Sequence, residues 1–319
     1  MNKRTLLASF IAAPFVSRAQ AENPLFVQSS SIRSVVSDPA FAGYGRLLFP
    51  LDRRFWSGDA LGEIGLAWYS ELRPKNTVAV FNFLKEEAQS GVPVYTPLYS
   101  REEIEKDAEK ADTGLIFFKG RAEAPFAVVC AGGGFRYVGA LHDSFPHALA
   151  LSRKGINAFA IIYRPDAQKA CEDLARAVSV IFQKAREFGV STNGYSLWGG
   201  SAGARMAVWV GRFGTRAFGE NTLPKPAAVV MAYTGLADAS PDDPPTFACV
   251  GTEDWIADWR VMKRRIDRLT ALGIPTEFHA FPGLSHGFGV GTGTAAEGWV
   301  DRAVDFWMKA AAARKLPRA

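Results

Sequence analysis

Roughly the last two thirds of the chain alternate short apolar runs with amphipathic helical patterns. The runs at 115–119 and 125–130 are dominated by apolar side chains, which is typical of strands that are buried on both faces. Farther along, Leu174, Val178 and Ile181 fall on one stripe of a helix. Strands and helices that alternate in this way predict an α/β fold, in which helices cover both faces of a mostly parallel central sheet.

The same alternation accounts for most of the remaining chain. A capping-box spacing at Ser100 and Glu103 predicts the start of a charged helix that runs to about residue 111. Gly189 and Gly273 end two further helices. The other predicted elements are helices at 78–88 and 297–311 and strands at 94–99, 156–163, 227–233, 246–250 and 275–281.

The first 21 residues have the pattern of a signal peptide. Lys3 and Arg4 precede an apolar stretch, and Ala19-Gln20-Ala21 is a small-residue cleavage site. The apolar stretch is too short for a helix that spans a bilayer of about 30 Å. We therefore expect export, to the periplasm or out of the cell, and no stable membrane insertion.

The charge balance becomes nearly even once this segment is removed. The chain carries 37 basic and 32 acidic residues. Cleavage after residue 21 removes three basic residues and no acidic one, which leaves 34 against 32. Such a balance lacks the basic excess of nucleic-acid-binding proteins, so we expect no nucleic-acid partner.

Residues 22–93 lack the alternation of strands and helices. They are rich in Phe, Pro, Gly and Trp, and include the aromatic residues Trp56, Trp68 and Tyr69. We interpret them as an N-terminal cap-like region in front of a catalytic domain at 94–314.

A Gly-x-Ser-x-Gly turn separates a predicted strand that ends at Trp198 from a helix rich in small residues. This context is that of a nucleophile elbow, in which the serine, here Ser201, is exposed on a sharp turn. Gly199 and Gly203 leave room for that turn. The alternative is a glycine-rich turn with an idle serine. A serine hydroxyl becomes a strong nucleophile only when a base removes its proton, so the candidate requires a histidine nearby.

Two segments offer backbone N–H groups to an oxyanion. The helix after Ser201 begins with Ala202, and the loop after the strand at 125–130 contains Gly133 and Gly134. Ligands of a parallel sheet bind at the carboxyl ends of its strands, so both segments are expected at the same edge. The alternative for the loop is a plain flexible turn.

His286 is the candidate base among the four histidines. It lies on a glycine-flanked loop just after the last predicted strand, where it can fold back toward Ser201. His279 is inside that strand, and we expect burial to fix it. His142 and His147 precede the serine in a helix-like stretch, so we expect structural or rim roles for them.

The carboxylate that orients the base is expected after a strand between the serine and the histidine. Asp254 follows the strand at 246–250 and is the preferred candidate. Glu253 beside it is the next candidate, and Asp238, one strand earlier, is the third. A structural alternative for Asp254 is the N-cap or first turn of the helix that follows it.

The cysteines indicate neither a disulfide framework nor a metal site. The chain has three, Cys130, Cys171 and Cys249, and two of them lie in predicted strands, so we expect buried, inert thiols. No metal-binding spacing is present, and the candidate chemistry needs neither a metal nor a cofactor.

The predicted catalytic domain resembles the α/β-hydrolase superfamily, in particular its esterase/lipase branch, which includes hormone-sensitive-lipase-like and acetyl-xylan-esterase-like enzymes. The glycine loop is similar to the His-Gly-Gly-Gly loop of that branch, with Ala131 in place of the histidine. Gly200 stands where lipase-like members usually have Asp. Tyr163-Arg164 and Asp173 resemble the Tyr-Arg pair and the downstream helix Asp of the family.

This resemblance implies a serine carboxylic-ester hydrolase with Ser201, Asp254 and His286 as its triad and with Gly133, Gly134 and Ala202 as its oxyanion hole. The C-terminal part is similar to that of secreted carbohydrate esterases. We therefore expect short-acyl substrates such as acetyl esters of small molecules or carbohydrates. Peptidases and acyltransferases share the fold, and a non-catalytic binding protein is the remaining alternative.

Overall fold

The computed structural model describes residues 24–69 and 71–314. The predicted signal peptide at 1–21 lies outside the described residues, and export stays a prediction. Within the described ranges, no helix combines the length and the apolar character that crossing a bilayer requires.

Residues 24–69 and 71–93 contain short elements and one long helix. They are α1 (Ile32–Val36), the antiparallel pair β1 (Trp56–Ser57) and β2 (Gly65–Leu66), several short 3-10 helices, and α2 (Pro74–Gln89). Phe83 of α2 stacks on Phe118 at 5.8 Å between ring centroids, and Tyr44 stacks on Tyr95 at 4.9 Å. These residues therefore pack into the same hydrophobic core as the rest of the chain. The division into a cap-like region and a catalytic domain at residue 94 stays a prediction.

In the described part of the chain, eight further strands form one sheet. They are β3 (Tyr95–Thr96), β4 (Gly114–Phe118), β5 (Pro125–Cys130), β6 (Asn157–Ile162), β7 (Ser191–Gly200), β8 (Ala228–Ala232), β9 (Thr246–Gly251) and β10 (Thr276–Phe281). Their order is β10-β9-β8-β7-β5-β6-β4-β3. Neighbouring strands are parallel except that β4 is antiparallel to both β3 and β6. The sheet is therefore mostly parallel, as the apolar runs predict.

Helices pack on both faces of this sheet. They are α3 (Arg101–Lys106), α4 (Ala140–Asp143), α5 (Phe145–Arg153), α6 (Ala167–Gln183), α7 (Ala185–Phe188), α8 (Ala202–Phe213), α9 (Trp259–Ala271) and α10 (Trp299–Ala313). Every residue of β4, β6, β8 and β9 is buried beneath them. Double-sided burial explains why these strands are continuously apolar rather than alternating.

The register of the sheet brings distant loops together at its carboxyl edge. Cys130 of β5 is level with Gly199 of β7, so the glycine loop begins beside the Ser201 turn. Phe281 of β10 is level with Gly251 of β9, so the segments that carry Asp254 and His286 also begin side by side. All four candidate segments therefore meet at one edge, as expected for a parallel sheet.

Some element boundaries differ from the sequence-based prediction. The strand predicted at 94–99 is only Tyr95–Thr96, because it pairs with β4 over two residues at the edge of the sheet. The helix predicted up to residue 111 begins with the expected capping box but ends at Lys106. Asp107 has an extended backbone there, caps a following 3-10 helix and pairs with Arg164 at 2.9 Å. The helix thus ends where Asp107 forms a long-range ion pair, and the local sequence pattern does not contain this contact.

Candidate active site

Ser201 occupies a strained turn between β7 and α8. Its backbone has φ 52° and ψ −118°, a conformation that costs a non-glycine residue about 1–3 kcal/mol. The two flanking glycines are required by close packing. A Cβ atom at Gly199 would lie 2.3 Å from the carbonyl of Gly203, and one at Gly203 would lie 2.1 Å from the carbonyl oxygen of Cys130. The turn therefore presents the hydroxyl beyond the end of β7, as the sequence motif predicts.

His286 contacts this hydroxyl. Its loop follows β10, and its Nε2 lies 3.1 Å from Ser201 Oγ. The imidazole is 2% exposed and packs edge-on against the ring of Tyr233, with centroids 5.3 Å apart. A buried ring in this position can accept the hydroxyl proton through Nε2 while Nδ1 bonds elsewhere.

The carboxylate of Asp254 accepts a hydrogen bond from the other imidazole nitrogen, Nδ1. Its Oδ2 and Oδ1 lie 2.8 and 3.0 Å from Nδ1 of His286, and its side chain is completely buried. Because an ionised carboxylate only accepts, Nδ1 carries the proton and Nε2 is free to accept one. Oδ1 also accepts from the backbone N–H groups of Ile256 and Ala257. The carboxylate is thus fixed by its own turn.

The other candidate acids lie elsewhere. Glu253 is exposed, and Asp238 forms an ion pair with Arg212. The structural alternative for Asp254 as a helix N-cap is wrong, because α9 begins only at Trp259 and Asp258 caps it. Asp254 does stabilise the preceding turn, so its structural bonds accompany the contact with His286.

The remaining histidines lie away from Ser201 Oγ in different surroundings. His142 is buried on α4, and its Nε2 donates to the carbonyl of Gly287 at 2.6 Å. Burial lowers its pKa to about 4, so it is neutral at pH 7 and supports the loop beside His286. His147 is buried against Trp299, and burial lowers its pKa to about 3. His279 lies in β10, as predicted, but the expected burial is wrong, because β10 is an edge strand and the side chain is 27% exposed. Its Nε2 lies 2.7 Å from a Glu277 oxygen.

The predicted oxyanion-hole residues lie on two segments at the same edge. Ala202 is the first residue of α8, so its N–H has no acceptor within the helix. Gly133 and Gly134 have φ of 121° and 63°, which few side-chain-bearing residues adopt. Gly132 lies against the elbow, because a Cβ atom there would be 2.8 Å from the Ser201 Cβ. Backbone donors can therefore face a group bound at the serine.

A buried polar network supports the glycine loop from below. The hydroxyl of Tyr163 donates to the carbonyl of Ala131 at 2.7 Å. The next residue, Arg164, binds the fully buried Asp173 through its guanidinium at 2.7 Å and through its backbone N–H, also at 2.7 Å. Of the positions that resemble the Tyr-Arg pair and helix Asp of the esterase branch, Tyr163 thus bonds the glycine loop, whereas Arg164 and Asp173 join the segment after β6 to α6.

One carboxylate close to this site is missing from the sequence-based prediction. Asp143 of α4 is fully buried and accepts hydrogen bonds from the hydroxyls of Tyr69 and Tyr233 and from the N–H of Gly132. A Cβ atom at Gly200 would lie 2.3 Å from Asp143 Oδ1, so this carboxylate also requires a glycine before the serine. Two features of the sequence could have indicated it: an Asp among apolar residues after the glycine loop, and a glycine at position 200, where lipase-like members usually have Asp.

A cavity of about 340 Å³ adjoins the glycine loop. Its wall includes Arg136, Tyr137 and Val138 from that loop and Tyr163 after β6. The aromatic ring of Trp68, partly exposed, would lie 3.1 Å from a Cβ atom at Gly134. The lining of this cavity includes neither Ser201 nor His286, so the cavity lies to one side of the candidate site, whereas the Trp68 ring lies directly against the glycine loop. Across the described ranges, no group of three or more His, Cys, Asp and Glu side chains is arranged to hold a metal ion.

Comparisons with known proteins give structural matches only. No family model matches the sequence, and no curated protein matches it. The solved structures include an esterase from Thermogutta terrifontis with propionate bound, which has a TM-score of 0.58 and 18% identity over 70% of this chain and 96% of its own.

Two other matches have different sources. An α/β-hydrolase enzyme from a Medee basin deep-sea metagenome has a TM-score of 0.55 and 20% identity, over 63% of this chain and 93% of its own. A sugar hydrolase from Lactococcus lactis has a TM-score of 0.54 and 19% identity, over 62% and 94%. The chain has the α/β-hydrolase fold, and the resemblance drawn from its motifs is confirmed at the level of the fold.

Proposed function

We propose that this chain is an exported serine carboxylic-ester hydrolase that acts on short-acyl esters, including acylated carbohydrates. The observation that carries the proposal is the continuous contact from Ser201 Oγ to His286 Nε2 at 3.1 Å and from His286 Nδ1 to Asp254 Oδ2 at 2.8 Å. A nucleophile, a base and an orienting carboxylate in hydrogen-bond reach form the arrangement that acyl transfer requires.

The reaction begins with proton transfer from Ser201 to Nε2 of His286 as Oγ attacks the ester carbonyl. Asp254 keeps the proton on Nδ1 and stabilises the imidazolium. The N–H groups of Gly133, Gly134 and Ala202 bind the oxyanion of the tetrahedral intermediate, and the loss of one such donor typically costs about 100- to 1000-fold in rate. His286 then protonates the departing alcohol, which leaves an acyl group on Oγ.

Water completes the cycle. His286 removes a proton from the water, whose oxygen attacks the acyl carbonyl. The second tetrahedral intermediate collapses, the carboxylic acid leaves, and His286 returns the proton to Ser201 Oγ. Each proton is accounted for by one imidazole, so this mechanism needs no cofactor or metal.

Two features support the substrate class. Trp68 lies beside the glycine loop and forms an aromatic group with Phe55 and Tyr137, whose centroids lie 5.8 and 5.7 Å from it. Partly exposed aromatic faces beside an active site suit the apolar faces of sugar rings. The Thermogutta esterase, which has the same fold, has propionate, a short-chain carboxylate, bound in its structure.

The test is hydrolysis of p-nitrophenyl acetate by the purified chain from residue 22, compared with Ser201→Ala. We expect the substitution to lower kcat by about 10⁴-fold or more, because the nucleophile is lost. Ser90→Ala, an exposed serine at the end of α2, is the matched control and should leave kcat unchanged. A fluorophosphonate should label the wild type and the control but not Ser201→Ala.

The same assay separates the alternatives. A wild type that neither hydrolyses the ester nor reacts with the fluorophosphonate contradicts the proposal and favours a binding protein. Faster acyl transfer to added alcohol than to water indicates an acyltransferase, and faster cleavage of amides than of esters indicates a peptidase. A preference for long-chain esters over acetate contradicts the short-acyl part alone. For export, N-terminal sequencing of the protein recovered outside the cytoplasm should begin near Glu22.

A further inference from the structure

Asp143 is a buried carboxylate whose three hydrogen-bond donors among the described residues are all neutral. The Tyr69 hydroxyl donates at 2.9 Å and the Gly132 N–H at 2.6 Å, and the Tyr233 hydroxyl donates to the second oxygen. The residue is 1% exposed. A buried carboxylate without a paired cation is costly, and such groups are found most often at functional sites.

The bond from the Gly132 N–H fixes the glycine loop. Gly132 lies against the Ser201 elbow, and its carbonyl accepts from the N–H of Gly139 at 2.9 Å. The bond from its own N–H to Asp143 fixes the Ala131–Gly132 peptide plane, and the bond from Gly139 fixes the next plane, so the backbone is held on both sides of the Gly132 Cα atom. The orientation of the next N–H groups, which the proposed reaction uses, therefore depends on this carboxylate.

The other two bonds fix the rings that pack against His286. Tyr233 contacts the imidazole edge-on at 5.3 Å, and the Tyr69 ring lies 6.3 Å from it. Tyr69 also packs against the backbone beside the histidine, because a Cβ atom at Gly287 would lie 2.3 Å from its Cδ1. The two hydroxyls meet at the same carboxylate, so Asp143 ties both rings to the glycine loop.

We propose that Asp143 is a positioning residue for the ester hydrolysis proposed above: its carboxylate aligns the glycine loop with Ser201 and holds Tyr69 and Tyr233 against His286. The Asp143 cluster, defined as Asp143, Tyr69, Tyr233 and the Gly132 N–H, then acts on both halves of the reaction centre. This inference depends on the proposed function.

The negative charge of Asp143 also interacts with His286, which lies beside the cluster. The titratable groups that interact with Asp143 come from several elements and are Tyr69, Cys130, Tyr137, Tyr163, Tyr233, Cys249 and His286. Burial raises the pKa of each of these tyrosines and cysteines, so they stay neutral at pH 7. His286 gains a proton in the proposed reaction, and a nearby negative carboxylate favours its protonated form.

The test compares wild type with Asp143→Asn in ester hydrolysis over a range of pH. The amide has the same shape but no charge, and it cannot accept at both atoms. We expect kcat to fall about 10- to 100-fold with KM nearly unchanged. The acid limb of the kcat/KM profile should move to lower pH, because the imidazolium loses a neighbouring negative charge.

Asp173→Asn is the matched control. It also neutralises a fully buried carboxylate that accepts from a tyrosine hydroxyl, that of Tyr99. Asp173→Asn should lower stability but leave the acid limb of the kcat/KM profile where it is. A shift of the acid limb in Asp143→Asn alone would therefore indicate positioning rather than a general structural effect. Tyr233→Phe removes one donor and keeps the ring, and we expect a smaller decrease in kcat, about 3- to 10-fold.

The outcomes are distinct. A folded Asp143→Asn with the wild-type kcat and the wild-type acid limb overturns the positioning role while the proposed function stands. If Asp143→Asn does not fold, an unchanged kcat in Tyr233→Phe and in Tyr69→Phe overturns it. A wild type that is inactive toward both ester and fluorophosphonate overturns the proposed function and this inference with it.

Discussion

Two carboxylates serve His286 in different ways. Asp254 bonds the imidazole directly and receives its other donors, Ile256 and Ala257, from its own turn. Asp143 acts through intermediaries, and its donors Tyr69 and Tyr233 are 74 and 90 residues away in the chain. The first carboxylate is built locally after one strand, whereas the second exists only once three distant segments have packed together.

The two carboxylates therefore differ in whether neighbouring residues or distant segments of the chain supply their hydrogen-bond donors. A local turn can supply two backbone donors whatever the rest of the fold does, so Asp254 is stabilised by its own sequence neighbourhood. The Asp143 carboxylate depends on tertiary structure for every donor except Gly132. We therefore expect changes at Asp254 to affect mainly the reaction and changes at Asp143 to affect both the reaction and the stability.

The largest expected effect comes from the local carboxylate. Asp254→Asn should lower kcat by about 10⁴-fold, close to 5 kcal/mol of transition-state stabilisation, because an amide allows the wrong imidazole tautomer. Glu253→Gln, one residue earlier and exposed, should change kcat less than twofold. Steady-state hydrolysis of p-nitrophenyl acetate measures both. A loss at Glu253 as large as that at Asp254 would contradict the assignment of the acid.

The buried carboxylate should appear in the pH dependence of stability. Burial raises the pKa of Asp143 from its ordinary value of 3.8 to about 6, and the bonds from Tyr233, Gly132 and Tyr69 offset part of the increase. The folded state then binds the proton more tightly than the unfolded state. Its contribution to the free energy of unfolding is therefore present below about pH 4 and is lost as the pH rises to 6.

Denaturant unfolding of Asp143→Asn at pH 4 to 7 measures this contribution. Relative to wild type, the variant should become more stable by about 2 kcal/mol between pH 4 and pH 7, since it has no carboxyl to titrate. Asp52→Asn is a control of opposite sign, because its hydrogen bonds with Arg54 lower the pKa of the exposed Asp52 carboxyl. A stability difference between Asp143→Asn and wild type that does not change with pH would contradict a raised pKa in the folded state.

The sequence predicted the structural framework well because its signals are local. Continuous apolar runs placed β5 without error and β6, β8 and β9 to within one residue at each end, since burial on both faces leaves little room for polar side chains. The glycine motifs placed Ser201 and the glycine loop for steric reasons. The positions of His286 and Asp254 followed from strand order along one edge of the sheet. Their proximity to Ser201 agrees with that prediction, and their catalytic roles stay proposed.

The remainder depends on contacts that local patterns do not contain. Residues 24–69 form short helices, one two-stranded pair and turns without periodicity, so nothing in the sequence indicated that Tyr69 reaches Asp143. The ion pair of Arg164 with Asp107 likewise joins segments 57 residues apart. Two features of the sequence hinted at another carboxylate: the Asp after the glycine loop, and the glycine at 200, where lipase-like members usually have Asp.

The smallest predicted effect tests that steric link between the two parts of the site. A Cβ atom at Gly200 would lie 2.3 Å from Asp143 Oδ1 and 2.6 Å from the Tyr233 ring. Gly200→Ala should therefore lower the free energy of unfolding by about 1–3 kcal/mol through overpacking. Gly235→Ala is the matched control, because its nearest neighbour would be 3.6 Å away at Arg205, and it should change stability by no more than about 0.5 kcal/mol.

A double-mutant cycle then identifies the group responsible. Asp143→Ala removes the carboxylate, so Gly200→Ala should cost less in that background than in the wild type, by at least about 1 kcal/mol. Denaturant unfolding of the four proteins at pH 7 gives this coupling energy. Strict additivity would mean that the Tyr233 ring alone excludes a side chain at 200, and glycine there would then not depend on Asp143. A smaller cost of Gly200→Ala in the Asp143→Ala background would instead show that the carboxylate is what excludes a side chain at position 200. The segments that hold Asp143 would then also restrict the turn that carries Ser201.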